Sequence, residues 1–193
     1  MRVKIAIAAI ALASGCTDQI IDNRTVSRFA TPSSAGTFSS PSGTNRNYII
    51  AGQGFAYKAG VASNQDIVAV AGIIPGTTVT AIPTTGNTVY AGQYRLVSVG
   101  GFTLDNGLLR GTETPVSGSI SLGVNFAERT ISGTSGNLAV NGTFVGNTMS
   151  GDVTYSGISG DLRGVIGGDK AVGAFHGESP TQLFAGGFYV TPR

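Results

Sequence analysis

Tryptophan is absent from this 193-residue chain, and cysteine and histidine each occur once, as Cys16 and His176. One cysteine cannot close an intrachain disulfide, and one histidine among scattered carboxylates is a poor basis for a zinc site. Any Ser–His or Cys–His nucleophilic centre would have to use His176 as its base. Charge is scarce as well, at 11% of residues. Setting aside Arg2 and Lys4, which lie in a leader described below, leaves 12 − 2 = 10 basic residues against 10 acidic ones. With no cluster of Lys or Arg to track phosphates, nucleic acid is excluded as a partner. Beyond residue 16 the chain lacks stretches rich in Ala, Leu, Glu and Lys, so it offers no helical periodicity. Its Gly-x-Gly and Gly-Gly pairs therefore precede no helix, which excludes a phosphate-cradling loop. Asp152, Asp161 and Asp169 lie beside glycines without forming a D-x-D-x-D-G loop, and they read as solvated turn carboxylates. No catalytic, cofactor-binding or metal-ligating residue is assigned, and the chain does not read as an enzyme.

What is abundant is glycine, at 30 residues, together with Thr, Ser and Val. That composition favours many short strands over helices. A hydrophobic content of 41% in a chain of this length suits one core and one domain of moderate size.

The amino terminus has its own pattern. Met1-Arg2-Val3-Lys4 is basic, and the apolar run Ile5-Ala6-Ile7-Ala8-Ala9-Ile10-Ala11-Leu12-Ala13 is too short to span a bilayer core of about 30 Å as a helix. Leu12-Ala13-Ser14-Gly15-Cys16 resembles the lipobox of bacterial lipoproteins. That resemblance implies a signal peptide over residues 1–15 and fatty acylation (palmitate) at Cys16. Each buried methylene contributes about 0.8 kcal/mol, so more than one acyl chain makes a firm membrane anchor. Thr17 after the cysteine is compatible with sorting to the outer membrane. Residues 16–46 read as the lipidated cysteine and a flexible linker, because Ser, Thr, Gly and Pro dominate and little apolar surface is available to offset ordering. A rival reading docks Ile20, Ile21, Val26 and Phe29 on the folded domain as a plug or extra strand.

From residue 47 on, period-two alternation and turn signals predict strands. Residues 47–57 read as one strand. Residues 66–72 and 77–82 read as a hairpin about Ile74-Pro75-Gly76. Residues 88–99 read as a long strand, and residues 100–115 as an irregular insertion punctuated by Gly100-Gly101, Asp105-Asn106-Gly107 and Pro115. Ser119 to Phe126 alternates, turns at Ala127-Glu128-Arg129 and returns at Thr130-Ile131-Ser132-Gly133. Asn141-Gly142 and Gly146-Asn147 mark tight turns. The last strands pair Gly173, Phe175 and Gly177 with Gly186, Gly187 and Phe188 across a polar connection. Neighbouring antiparallel strands with short loops imply a meander, and closing it removes exposed edges.

Three of these segments resemble the transferrin-binding protein B-like β-barrel domain of bacterial surface lipoproteins. They are Tyr90-Ala91-Gly92-Gln93-Tyr94, the pair Asn125-Phe126 with Thr130-Ile131-Ser132-Gly133, and Gly173-Ala174-Phe175-His176-Gly177 followed by Gly186-Gly187-Phe188. His176 stands where that family usually has an aromatic, and packing or a turn hydrogen bond is its expected role. The resemblance implies an all-β fold: an antiparallel up-and-down barrel of about eight strands over residues 47–193, with residues 47–82 as a rudimentary handle or extra strands. It also implies a surface binding module, with host iron protein or haem capture in the best-known members. A structural envelope lipoprotein without a soluble ligand and a lipocalin-like carrier of a small ligand are the other two readings. The expected contacts are the membrane, through lipid on Cys16, and a protein partner at the surface. Tyr48, Tyr57, Tyr90, Tyr94, Tyr155 and Tyr189 are candidates for that contact or for the barrel core.

Overall fold

The computed structural model describes residues 25–106 and 108–193, so the leader, Cys16, Ile20 and Ile21 lie outside the described residues. Twelve strands follow in order: β1 (Thr25–Phe29), β2 (Arg46–Ile50), β3 (Gln53–Val61), β4 (Ile67–Ile73), β5 (Asn87–Asp105), β6 (Leu108–Asn125), β7 (Thr130–Ser135), β8 (Leu138–Val145), β9 (Thr148–Tyr155), β10 (Ile158–Ile166), β11 (Ala171–Glu178) and β12 (Gln182–Pro192). β5 to β12 form a closed eight-stranded barrel in which each strand pairs antiparallel with the next and β12 returns to β5. β1 to β4 form a separate four-stranded sheet of order β1-β4-β3-β2, in which β1 lies parallel to β4.

The barrel is all-β and up-and-down because its turns are short. Ser156 and Gly157, both with positive φ (50° and 82°), make the two-residue link between β9 and β10. That backbone matches the twist of the flanking strands. Inward positions carry the main core, including Tyr90, Tyr94, Leu96, Leu122, Ile131, Leu162, Phe175, Phe184 and Phe188.

The sheet lies on the barrel's outer wall. Phe55, Tyr57, Ala59, Ala69 and Ala71 face Val97, Val99, Val172, Ala174, Leu183 and Ala185 of β5, β11 and β12 in a second buried cluster. This pairing explains why β3, β4, β11 and β12 are buried on both faces instead of alternating. The outer face of the sheet is covered in turn by Phe38, packed with Ala56, Val68, Val70 and Ile74.

Several local expectations change. From Thr25 on, the segment read as linker is ordered. β1 pairs along its whole length with β4, and Val26 and Phe29 bury apolar surface, as in the reading that docks these residues. Residues 47–57 are not one strand but parts of β2 and β3, folded about Ala51 and Gly52, both with positive φ. Ala-Gly carries no strong turn signal, because Ala adopts that backbone at a cost. Residues 77–82 form no strand. The Thr80 N–H is taken by the Asp169 carboxylate at 2.7 Å, and the Thr80 carbonyl accepts from Asn147 Nδ2 at 2.9 Å. Side chains of the barrel thus replace a ladder. Asn141-Gly142 lies within β8 instead of turning, and its glycine leaves inward room for Ile131 and Leu162.

The insertion is also regular. β5 and β6 continue past the barrel as a paired arm with a bulge between Gly100 and Thr103, and Pro115 sits inside β6 opposite Val97. β6 meets β7 at Gly123, Val124 and Asn125, which leaves the Pro115 end of β6 as an edge. A proline nitrogen is tolerated in a strand when it faces such an edge.

Candidate binding surface and the His176 seam

A barrel can recognise a ligand inside its lumen, at its ends or on its walls, and the inward side chains decide the first. Across the closing hairpin the ladder sets Gly173 against Phe188, Phe175 against Gly186, and Gly177 against Phe184. The Phe188 and Phe184 rings lie over the glycines opposite, while Gly186 makes room for the backbone of Arg95 and Leu96 on β5. A Cβ placed on Gly173 or Gly177 would come within 2.5 Å of the Phe188 or Phe184 ring, respectively. The motif glycines therefore clear space for the motif aromatics, and the lumen fills with side chains. Tyr94 and Leu96 continue the same rows from β5. Gly92 and Gly133 lie where a side chain would strike the backbone of Tyr189 and Ser121, respectively. Gly187, on the outer wall, leaves room for the ring of Phe55 from the docked sheet.

Side chains pack across both ends. At one, Tyr155 packs on Phe184 with ring centroids 5.6 Å apart, and Gln182 donates to the Ser98 hydroxyl. At the other, Ile82 packs against the core, and the buried Tyr90 hydroxyl donates to the Gly167 carbonyl at 2.5 Å. Burial pushes the Tyr90 pKa up, and the Asp169 charge adds to this. Phe126 bridges Tyr90 and Phe144 in edge-to-face contacts at 6.5 and 6.2 Å. The dimple left beside Phe126, Phe144, Pro83 and Arg129 holds about 200 Å³. That is below the roughly 300–1,000 Å³ of ordinary small-molecule sites.

Asp169 fixes this end. Partial burial raises its pKa, but hydrogen bonds from the Lys170 ammonium, the Thr80 N–H and the Thr80 hydroxyl together outweigh that and bring it down to about 2.

The walls remain. Of the six tyrosines, Tyr57, Tyr90, Tyr94 and Tyr155 are buried. Tyr48 and Tyr189 are half-buried where the sheet meets the barrel, with centroids 6.1 Å apart and the Arg95 guanidinium 4.6 Å above Tyr48. Arg46 pairs with Glu113 of the arm at 2.9 Å beside them. Leu104, near the arm's tip, and Val145, at the β8–β9 turn, are exposed at 70% and 75%.

His176 is the one chemically distinctive residue that the fold brings into a cluster. It lies on β11, faces outward, and is only 8% exposed because β1 covers it. Its Nδ1 is 2.9 Å from the Ser27 hydroxyl, and the Ser27 N–H donates to the Glu178 carboxylate. Its Nε2 is 4.0 Å from the Asp161 carboxylate, and the Phe29 ring meets the imidazole edge-on at 4.3 Å. Burial lowers the His176 pKa, Asp161 raises it, and Arg163 lowers it further. Ser27, His176 and Asp161 have the residue types of a nucleophilic triad. The Glu178 carboxylate, however, occupies the Ser27 N–H, a backbone donor of the kind that would stabilise an oxyanion. The cluster joins two layers of the fold. Sequence reasoning placed His176 at a strand end with a local role and missed Ser27, which is 149 residues away. Among the described residues no group of three or more His, Cys, Asp or Glu side chains is placed to hold a metal ion.

The described chain is thus an eight-stranded antiparallel barrel with a four-stranded sheet docked on one wall. Comparison with solved structures finds similarity to transferrin binding protein B from Neisseria meningitidis, at 16% identity over 81% of this chain and a TM-score of 0.47. A structure of intact Ap-TbpB, with N and C lobes, is similar at 15% identity over 79% of the chain and a TM-score of 0.49. The haemoglobin receptor HpuA from Kingella denitrificans is similar at 18% identity over 72% of the chain and a TM-score of 0.38. The chain spans 36% and 39% of the two transferrin-binding proteins and 55% of the receptor. No family model and no curated protein matches it.

Proposed function

We propose that this chain is a non-enzymatic binding module, anchored to the bacterial outer membrane by lipid on Cys16 and engaging a protein partner through its outer surface. The observation that supports this most is the filled lumen. Phe175, Phe184, Phe188, Tyr90 and Tyr94 occupy the space in which a carrier would hold its ligand, which favours surface recognition over lipocalin-like carriage. The partner class follows from the resemblance. Transferrin and haemoglobin are named for the similar structures, and a host iron protein is the first candidate here.

The test is capture of transferrin and haemoglobin by the immobilised chain, beside a haem titration followed by absorbance. Saturable capture of either protein without a haem absorbance change is the expected result. A haem band would revive the small-ligand reading. Failure to capture either protein, with intact acylation, would favour a structural envelope lipoprotein. For the anchor, Cys16→Ser is expected to abolish incorporation of labelled palmitate and release the protein from the membrane fraction. Retention of both would overturn it.

A further inference from the structure

We propose that Ser27 and His176 form an acid-released latch holding β1 against the barrel.

β1 is five residues long and, among the described residues, is an edge strand whose only ladder is the one with β4. What fixes it to the barrel is a set of side-chain contacts centred on one imidazole. The Ser27 hydroxyl meets Nδ1 at 2.9 Å, and the Phe29 ring closes over the imidazole edge-on. The Ser27 N–H is held by Glu178, two residues along β11 from His176. The Arg163 guanidinium stacks 4.6 Å above Phe29.

In the neutral ring, Nδ1 and the Ser27 hydroxyl satisfy each other, and the apolar cover of Phe29 costs nothing. A second ring proton creates a cation that must be hydrated, in a site only 8% exposed beneath the Phe29 ring, where little water reaches it. The charges facing it do not compensate. Asp161 on β10 is 4.0 Å from Nε2, beyond hydrogen-bond reach, and its side chain is 71% exposed, so solvent screens the pair. Arg163 on the same strand opposes the added charge. Glu178 on β11 is already engaged by the Ser27 N–H. From the docked sheet, Arg28 lines a separate cleft with Thr31, Ser39 and Asn45, and Lys58 turns outward to the Phe38 carbonyl. β4 (Ile67–Ile73) brings no titratable side chain, and the β12 residue opposite His176 is Ala185. Full hydration of the ring requires β1 to lift. The geometry is supported by the depressed His176 pKa, for which burial is the largest cause.

The chain's single histidine makes the test direct. Amide hydrogen exchange of the full chain is followed by mass spectrometry, corrected for intrinsic rates, from about pH 8 to about pH 5, where histidine changes charge. Protection of residues 25–29 is expected to fall about tenfold on acidification, the equivalent of one pKa unit, while β3, β5 and β12 stay protected. The imidazole proton resonance should titrate in step with that loss. His176→Gln keeps a neutral hydrogen-bonding group and is expected to abolish the pH dependence. Equal protection at both pH values, or the same acid loosening in His176→Gln, would overturn the latch. Should His176→Gln not fold, Ser27→Ala decides. It is expected to loosen residues 25–29 already at about pH 8, and unchanged protection there would also overturn the proposal.

Discussion

Three inward positions of β11, Gly173, Phe175 and Gly177, alternate in size, and β12 answers with Phe188, Gly186 and Phe184. Packing of this kind tolerates neither partner growing. Gly173→Val would drive methyl groups into the Phe188 ring, and overpacking typically costs about 1–3 kcal/mol. The expected result is a lower urea midpoint with an unchanged slope; an unchanged midpoint would mean the ring moves aside freely. Asp169 sets a pH limit at the same scale. Its folded pKa of about 2 lies below the ordinary aspartate value of 3.8, so the stability it contributes is present above about pH 3.8 and is lost as pH falls through about 2. Asp169→Asn should flatten that part of the melting-temperature profile and leave His176's contribution in place. His176's own pKa is depressed from 6.5, so its contribution is present above that pH and lost on acidification below it. These packing partners were half legible in the sequence. The G-x-F-x-G and G-G-F patterns marked both strands of the closing hairpin, but the face each glycine occupies is set by register, which composition does not carry. Ser27 beside His176 had no local signal at all, because a contact across 149 residues follows only once two layers have docked.

Among the strands, the row Ser132, Asn141, Asp152, Asp161, His176 runs outward across β7 to β11 at one register level. It sets Asp152 directly opposite Asp161, and like charges paired across strands are destabilising. Asp152→Asn is expected to stabilise the barrel by about 0.2–1 kcal/mol, read by chemical denaturation at low salt and diminished at high salt. The arm offers another test. Pro115 lies in β6 where β7 no longer covers it, and it withholds one donor from an edge that could otherwise pair with a second chain. Pro115→Val is expected to raise the dimer fraction in light scattering, and a strictly monomeric variant would show that the edge is guarded by other means. Strands with an exposed face, such as β6 to β10, were legible through strict alternation. The hairpin of β2 and β3 was obscured because β3 is buried on both sides and its turn uses Ala51. The run at residues 77–82 looked like a strand because Val79 and Ile82 are apolar. It is instead a connector held over the barrel end by Asp169 and Asn147.

For the molecule as a whole, the docked sheet covers what would otherwise be a bare apolar wall: Val97, Val99, Val172, Ala174, Leu183 and Ala185. A barrel produced without residues 25–73 should therefore aggregate or bind a hydrophobic dye, since uncovered patches of this kind associate. A monodisperse truncated barrel would show that the wall is innocuous and the sheet dispensable. Because β5 is the earliest barrel strand and its second neighbour is β12, the ladder from Tyr90–Pro192 to Gly100–Gln182 forms only when the far end of the domain arrives. Non-local pairings of this kind are slow to form. Until β12 arrives, β5 therefore waits with one flank raw, a defined strand open to mispairing until the seam is zipped.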